Sequence, residues 1–278
     1  MHFNPLKALV VALAVVVHAS AAPQVPEEVP FVTSPDNVTL KMLEMAGVGA
    51  GDHVIDLGSG DGRIVILAAQ RFGATGLGVE IVPDLVQQSL RSAAAAGVAE
   101  KVAFRVQDLF QTDLSAATVV TMYLLPEVNL QLRPALLALR PGTRVVSHDW
   151  DMGDWPPDRT VVVPVPDKKV GLEKSSKVHL WTVPARVAGL WCGAGILSGA
   201  RLELAQTYQA FDGRLHWRER SRPLTGRIEG PLLFAPRGKA GELVLRVDGD
   251  RLQLVRASGP LAMAAGQAFR RAQEGQCA

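Results

Sequence analysis

The chain is short of cysteine, of repeats and of net charge, and each shortage removes a class of protein. Among its 278 residues there are two cysteines, Cys192 and Cys277. They make no C-x-x-C pair and no metal-ligand spacing, and a disulfide between them is open only to an exported chain. Lys and Arg number 29 against 27 Asp and Glu, a formal net charge of +2, which makes no case for nucleic acid or an anionic surface as the main partner. No low-complexity tract or internal repeat appears, which excludes solenoids and disordered polymers. The longest early apolar run, residues 8–17, falls short of the about twenty residues a membrane-spanning helix needs. What remains is 48% hydrophobic and 20% charged, a globular chain with a full core and a length that suits one or two domains.

The first residues carry an address. Lys7 precedes the apolar run, and Ala19-Ser20-Ala21 then offers an A-x-A cleavage site before a polar, proline-containing stretch. Residues 1–22 therefore read as a signal peptide or, if uncleaved, an N-terminal anchor; with no cysteine behind the run, a lipoprotein anchor is excluded. Lys7 in front, with Glu27, Glu28 and Asp36 behind and no Lys or Arg before Lys41, puts the body on the far side of the membrane, periplasmic in a bacterium. A cytosolic face is the alternative, because the cofactor inferred below is made and used in the cytosol.

The chain is organised around Asp56-Leu57-Gly58-Ser59-Gly60-Asp61-Gly62. The β-favouring His53-Val54-Ile55 leads in and an apolar helical stretch from Arg63 leads out, so the glycines occupy a strand-to-helix turn, where α/β sheets bind nucleotides. Glycine is needed there because a ligand must come close to the backbone. The spacing is G-x-G-x-G, not the dinucleotide G-x-G-x-x-G, and the strand ends in an acid that would repel a pyrophosphate and suit a cation. About twenty residues on, a second strand over residues 74–80 ends in Glu80, where an acid takes ribose hydroxyls. A third strand, residues 102–106, leads to Asp108.

Ahead of the motif, Ser34 is the expected N-cap of a helix with Pro35 in its first turn and Gly47 at its close. A helix over residues 83–97 follows Glu80. A fourth strand over residues 117–123 delivers Tyr123, then a helix from Glu127 to Leu139, expected to break at Pro134. The fifth strand, residues 143–147, delivers His148-Asp149-Trp150-Asp151. One His among several acids can suggest a metal, but the further acids of such a site are missing; the expectation is an acceptor-pocket wall and no metal. Two β-rich runs, residues 160–165 and 177–183, fit a final antiparallel pair. From residue 188 short alternating runs separated by turns, among them Asp212-Gly213 and Asp248-Gly249-Asp250, read as a small antiparallel β domain, a partial barrel. Gly189-Leu190-Trp191 resembles the opening of small ligand-binding barrels but is too short to carry an argument.

The G-x-G-x-G motif resembles the first motif of the class I S-adenosylmethionine-dependent methyltransferases. The longer string Asp56 to Val65, the upstream Phe31-Val32-Thr33-Ser34-Pro35, and Asp108-Leu109-Phe110 with Asp113-Leu114-Ser115 are similar to the protein-lysine methyltransferase family that acts on the adenine nucleotide translocase and the ATP synthase c-subunit. The resemblance covers about residues 29 to 155. It implies an α/β fold with a seven-stranded Rossmann-like methyltransferase sheet, which the two later β-rich runs complete over residues 29–186; the β domain read from the alternating runs follows over residues 188–276. It implies S-adenosyl-L-methionine as cofactor, with Asp56, Gly58, Gly60, Glu80 and Asp108 as contacts and Asp108 accepting from the adenine amino group; Ser34 and Gly62 are further candidate contacts. Tyr123, His148 and Asp149 are the candidate catalytic residues, and a protein lysine, on a membrane-associated partner in one version, is the implied acceptor. The alternatives are a small-molecule or lipid methyltransferase, or an exported binding protein that keeps the fold without turnover.

Overall fold

A computed structural model of the chain describes residues 32–168, 173–236, 241–273 and 275–277; the expected leader, residues 1–22, lies outside them. The first sheet is built from near-continuous apolar runs, as strands buried on both faces require. Strands β1 (His53–Leu57), β2 (Thr75–Glu80), β3 (Val102–Val106), β4 (Val119–Met122) and β5 (Arg144–His148) are parallel, and β6 (Arg159–Pro164) and β7 (Ser175–Thr182) pair antiparallel at one edge. Their spatial order is β3-β2-β1-β4-β5-β7-β6. The direction of winding reverses between β1 and β4, so the crevice for a ligand opens at the carboxyl ends of those strands.

Helices cover both faces. On one, Val38, Met42 and Leu43 of α1 (Asp36–Met45) join Ile64 and Ala68 of α2 (Arg63–Phe72) over Val54, Val119 and Val146; α3 (Pro83–Ala95) adds Val86 and Ala93 beside Phe104. On the other, Leu132 and Leu136 of α4 (Pro126–Leu137) meet Ile55, Leu57, Val120, Trp155 and Trp181. Two local expectations fail here. Ser34 does not cap α1: Pro35 holds the N-cap position without a side-chain hydrogen bond, and the serine hydroxyl is spent elsewhere. Pro134 does not break α4, which runs through it. Its ring is on the exposed face, where water can take the carbonyl that loses its partner.

The second sheet closes on itself. Strands β8 (Gly189–Gly193), β9 (Arg201–Thr207), β10 (Ala210–Trp217), β11 (Arg220–Glu229), β12 (Leu232–Pro236), β13 (Glu242–Asp248), β14 (Arg251–Arg256) and β15 (Ala268–Arg271) run antiparallel in sequence order, and β15 pairs with β8. It is a complete barrel, not a partial one. Leu202, Leu224, Leu243, Leu254 and Phe269 fill it, leaving a cavity of about 20 Å³, too small for any ligand larger than a water. Trp191 of β8 is fully buried, donates to the Val187 carbonyl at 2.8 Å and lies under the Arg271 guanidinium. A disulfide joins Cys192 to Cys277 and ties the last residues to β8. The β9–β10 turn grips the chain that follows β5: Gln209 accepts from Trp155 Nε1 at 3.0 Å and donates to the Pro156 carbonyl at 2.7 Å, and Tyr208 donates to Asp154 at 2.8 Å.

Asp212-Gly213, expected as a turn, lies inside β10, and the turn falls at Tyr208-Gln209 instead. The glycine serves close packing: a Cβ at Gly213 would collide with the Glu203 carbonyl oxygen of β9. Gly213→Ala is therefore expected to cost about 1–3 kcal/mol of unfolding free energy; an unchanged urea midpoint would contradict this close approach.

Candidate active site

The motif forms a tight loop over the end of β1. Gly58, Gly60 and Gly62 have φ of +72°, +54° and +79°, values that favour glycine. A side chain at Gly58 would come within 2.9 Å of Leu124, and one at Gly62 within 2.7 Å of the Phe104 ring. The Gly58 and Ser59 N–H groups donate to the Val79 carbonyl, each at 2.9 Å, and Ser89 Oγ donates to the Gly60 carbonyl at 3.0 Å. Glu80 is tied to the same loop: one carboxylate oxygen accepts from Gly60 N at 3.0 Å, the other from Ile81 N and Val82 N at 2.8 and 3.1 Å. Asp108 accepts from Phe110 N at 2.8 Å in the turn beyond β3. The three acids therefore sit at the carboxyl ends of three neighbouring strands.

Asp56 is the buried member. It is 2% exposed and accepts a hydrogen bond from Thr121 Oγ1 at 2.7 Å. Burial first, then the charges of Asp61 and Glu80, push its carboxyl up to about 7, against the Thr121 hydrogen bond. A carboxyl in that position favours a cation beside it, and the buried Ser59 Oγ has no hydrogen-bond partner among the described residues. A buried acid and two further acids on neighbouring strand ends suit a ligand with cationic, hydroxyl and amino groups.

A second cluster forms at the ends of β4 and β5. His148 is 1% exposed; its Nδ1 lies 2.8 Å from Ser34 Oγ and its Nε2 2.9 Å from Ser176 Oγ. Burial drives its pKa down to about 4 against the pull of Asp149, so the ring is neutral at ordinary pH and both nitrogens are engaged. The Tyr123 ring stacks on it at 3.9 Å between centroids, with its hydroxyl pKa raised by burial and by Asp149. Asp149 accepts from Lys168 Nζ at 2.8 Å and Lys177 N at 2.9 Å. Burial works against its charge, yet those bonds keep its pKa below the usual value. Among the described residues no group of three or more His, Cys, Asp or Glu is arranged to hold a metal ion.

The residues named from the sequence thus fall into two groups: Asp56, Gly58, Gly60, Gly62, Glu80 and Asp108 around the glycine loop, and Ser34, Tyr123, His148 and Asp149 around the imidazole. Reasoning from sequence missed Thr121, Ser176, Lys168 and Arg63. Thr121 pairs in register with Asp56, which aligning the two strand ends would have found. Arg63, which chelates Asp61 and donates to the Ser34 carbonyl at 2.9 Å, stood in the motif. Ser176 and Lys168 lie in and beside a β-strand with no motif.

A sheet of this order, parallel but for an antiparallel strand at one edge, with a glycine loop and acids on three successive strand ends defines a class I S-adenosylmethionine-dependent methyltransferase. The sequence model of the ANTKMT methyltransferase domain matches residues 56–159. A protein-lysine N-methyltransferase of Saccharolobus islandicus is 43% identical over 137 residues, 49% of this chain and 85% of that one. The human lysine N-methyltransferase of the ATP synthase c-subunit is 33% identical over 159 residues, 55% of this chain and 67% of that one; its mouse counterpart is covered over 53% of its length. A crystal structure described as an RNA methyltransferase from Salinibacter ruber, in complex with S-adenosyl-L-homocysteine, shares 54% identity with a TM-score of 0.51 over 56% of this chain and 96% of that one. The chain belongs to the ANTKMT methyltransferase family, and its cofactor is S-adenosylmethionine.

The raised pKa of Asp56 sets a pH dependence. For the free chain, the stabilisation from holding this acid neutral is full below its ordinary value of 3.8 and is lost as pH rises through about 7. Cationic S-adenosylmethionine prefers the ionised acid. Its affinity is expected to rise as pH goes from 6 to 8, by up to about tenfold per unit below the pKa, and to lose this dependence in Asp56→Asn. Calorimetric titrations across that range check it; a flat profile in the wild type would refute the assignment.

Proposed function

We propose that this methyltransferase delivers its methyl group to the side-chain amine of a protein lysine. The observation that carries the reading is the 43% identity with the Saccharolobus islandicus protein-lysine N-methyltransferase, over 85% of that protein. Asp56, Glu80 and Asp108 would hold the cofactor through its cationic end, ribose and adenine, with the glycine loop beneath. When bound, S-adenosylmethionine supplies a methyl carbon that an amine lone pair can displace from sulfur. The chain's own part is positioning and desolvation. Asp149, ionised, supplies a negative charge that orients an arriving lysine ammonium, the ammonium's proton leaves to solvent before its lone pair attacks, and the Tyr123 ring borders the same place. His148, neutral with both nitrogens engaged, is a positioning residue that fixes the Tyr123 ring.

A second reading, an RNA acceptor, draws on the 54% identity with the Salinibacter ruber protein described as an RNA methyltransferase. Incubating the chain with S-adenosylmethionine and protein and RNA acceptors from the same cell separates the two. Methyl label on lysine side chains supports the lysine reading, and label confined to RNA overturns it. With a protein acceptor in hand, Tyr123→Phe and Asp149→Asn are expected to lower kcat by about 10- to 100-fold with the S-adenosylmethionine Kd unchanged; an equal loss of cofactor affinity would contradict these roles.

The body of the chain lies on an oxidising side of a membrane in this reading, supported by the leader pattern of residues 1–22 and by the Cys192–Cys277 disulfide. Protein taken from cells without reductant should then show both thiols blocked to alkylation. Alkylated cysteines would place it in the cytosol.

A further inference from the structure

The formal charge of +2 hides two unequal parts. Residues 188–278 carry 13 Lys and Arg against 8 Asp and Glu, whereas residues 1–187 carry 16 against 19, an asymmetry that points to an anionic partner for the barrel. Three of the barrel's acids are already engaged: Glu229 pairs with Arg227, Glu242 with Arg256 and Asp250 with Arg271. The other eight described arginines of the barrel have no ion pair among the described residues.

Strand register sets several of them side by side. Arg251 of β14 stands directly opposite Arg270 of β15, Arg270 opposite Cys192 of β8, Cys192 opposite Arg201 of β9, and Arg201 opposite His216 of β10. Directly opposed residues share one face of a sheet, and the three arginines are exposed, so that face is the outer one. At about 4.8 Å per strand the row from Arg251 to Arg201 spans about 14 Å. Like charges directly opposite each other destabilise a sheet, and no carboxylate relieves them here. Asp248, opposite Arg251 on its other side, makes no ion pair with it. Glu203, two residues from Arg201 and opposite Arg214, reaches only His216, at 3.9 Å. Of the remaining acids, Asp212 lies four residues back along β10 from His216, and Glu219 stands in the β10–β11 turn among Arg218, Arg220 and Arg222. Arg246, opposite Gln253, adds a further cation above the row.

The outer wall of a barrel is convex, so its cations suit a partner whose anionic groups come to it. Every Trp, Tyr and Phe of the barrel is buried or half-buried, which leaves nucleic-acid bases no exposed ring to stack on. Lipid phosphates need only the charge, and each arginine near such a surface adds to the binding. The leader pattern of residues 1–22 belongs to a chain that meets a membrane.

We propose that the barrel wall around Arg251, Arg270 and Arg201 is a docking surface for an anionic lipid bilayer. The full chain is titrated with vesicles of phosphatidylcholine alone and of phosphatidylcholine mixed with phosphatidylglycerol, and sedimentation gives the two partition coefficients. Their ratio cancels any contribution of the apolar leader. It should be about a hundredfold or more, at about fivefold per arginine, should shrink as salt is raised, and should fall toward one in the triple variant Arg201→Gln, Arg251→Gln, Arg270→Gln. A control with Arg91→Gln, Lys101→Gln and Arg140→Gln, which removes the same charge from exposed positions outside the barrel, should keep the ratio. Unchanged S-adenosylhomocysteine affinity marks an intact fold in both. A wild-type ratio near one, a ratio that survives the barrel substitutions, or an equal fall in the control overturns the proposal. So does an RNA duplex bound more tightly than the mixed vesicles at the same salt and lost in the barrel variant, which assigns the wall to nucleic acid.

Discussion

A buried carboxyl at the point where the sheet changes direction is the constraint on which the catalytic half depends. Asp56 can sit there because β1 and β4 are neighbours, which brings Thr121 within hydrogen-bonding reach. The cost of holding an acid nearly dry is visible in its upward-shifted pKa. A cationic ligand beside it would offset that cost, so the residue that burdens the free chain would favour a cation such as S-adenosylmethionine. Glu80 extends the logic: its carboxylate accepts from the Gly60 N–H, so loop and strand-end acid are one unit.

The cluster at the ends of β4 and β5 is built differently. Its central group, His148, is shut away from solvent between two serines brought from opposite ends of the domain, Ser34 before α1 and Ser176 on β7. Rigidity is what such a fully satisfied buried ring contributes. The charged member, Asp149, is outside it and is kept ionised by Lys168, so a fixed neutral ring stands beside an ionised carboxylate. The barrel's interior is full, and Tyr208 and Gln209 of its β9–β10 turn hold the segment, residues 154–158, that continues from Asp149 and Trp150.

How much of this could be read beforehand follows from how local each signal is. The glycine loop, the strand-end acids and the alternation of strand and helix are patterns within about thirty residues, and all seven strands of the first sheet stand where their apolar runs placed them. Errors came where tertiary contact outweighs local preference. Ser34 reads as a helix cap, but a buried imidazole offers its hydroxyl a stronger claim. Asp212-Gly213 has turn chemistry, yet the packing of β9 against β10 needs a residue without a side chain there. Pro134 is a breaker only where its carbonyl partner is buried. Barrel closure was illegible because β8 and β15 are separated by the whole domain, and no local pattern records a pairing at that distance. Ser176 and Lys168 were invisible for the same reason.

The central claim, that the glycine loop and its three acids form the cofactor site, is tested most directly by a crystal structure of the chain with S-adenosylhomocysteine. The account predicts the ligand in the crevice at the carboxyl ends of β1 and β4, with its ribose on Glu80, its adenine amino group on Asp108 and its ammonium on the Asp56 side of the loop. Ligand bound elsewhere, or in this crevice without contact to Asp56 and Glu80, would contradict it.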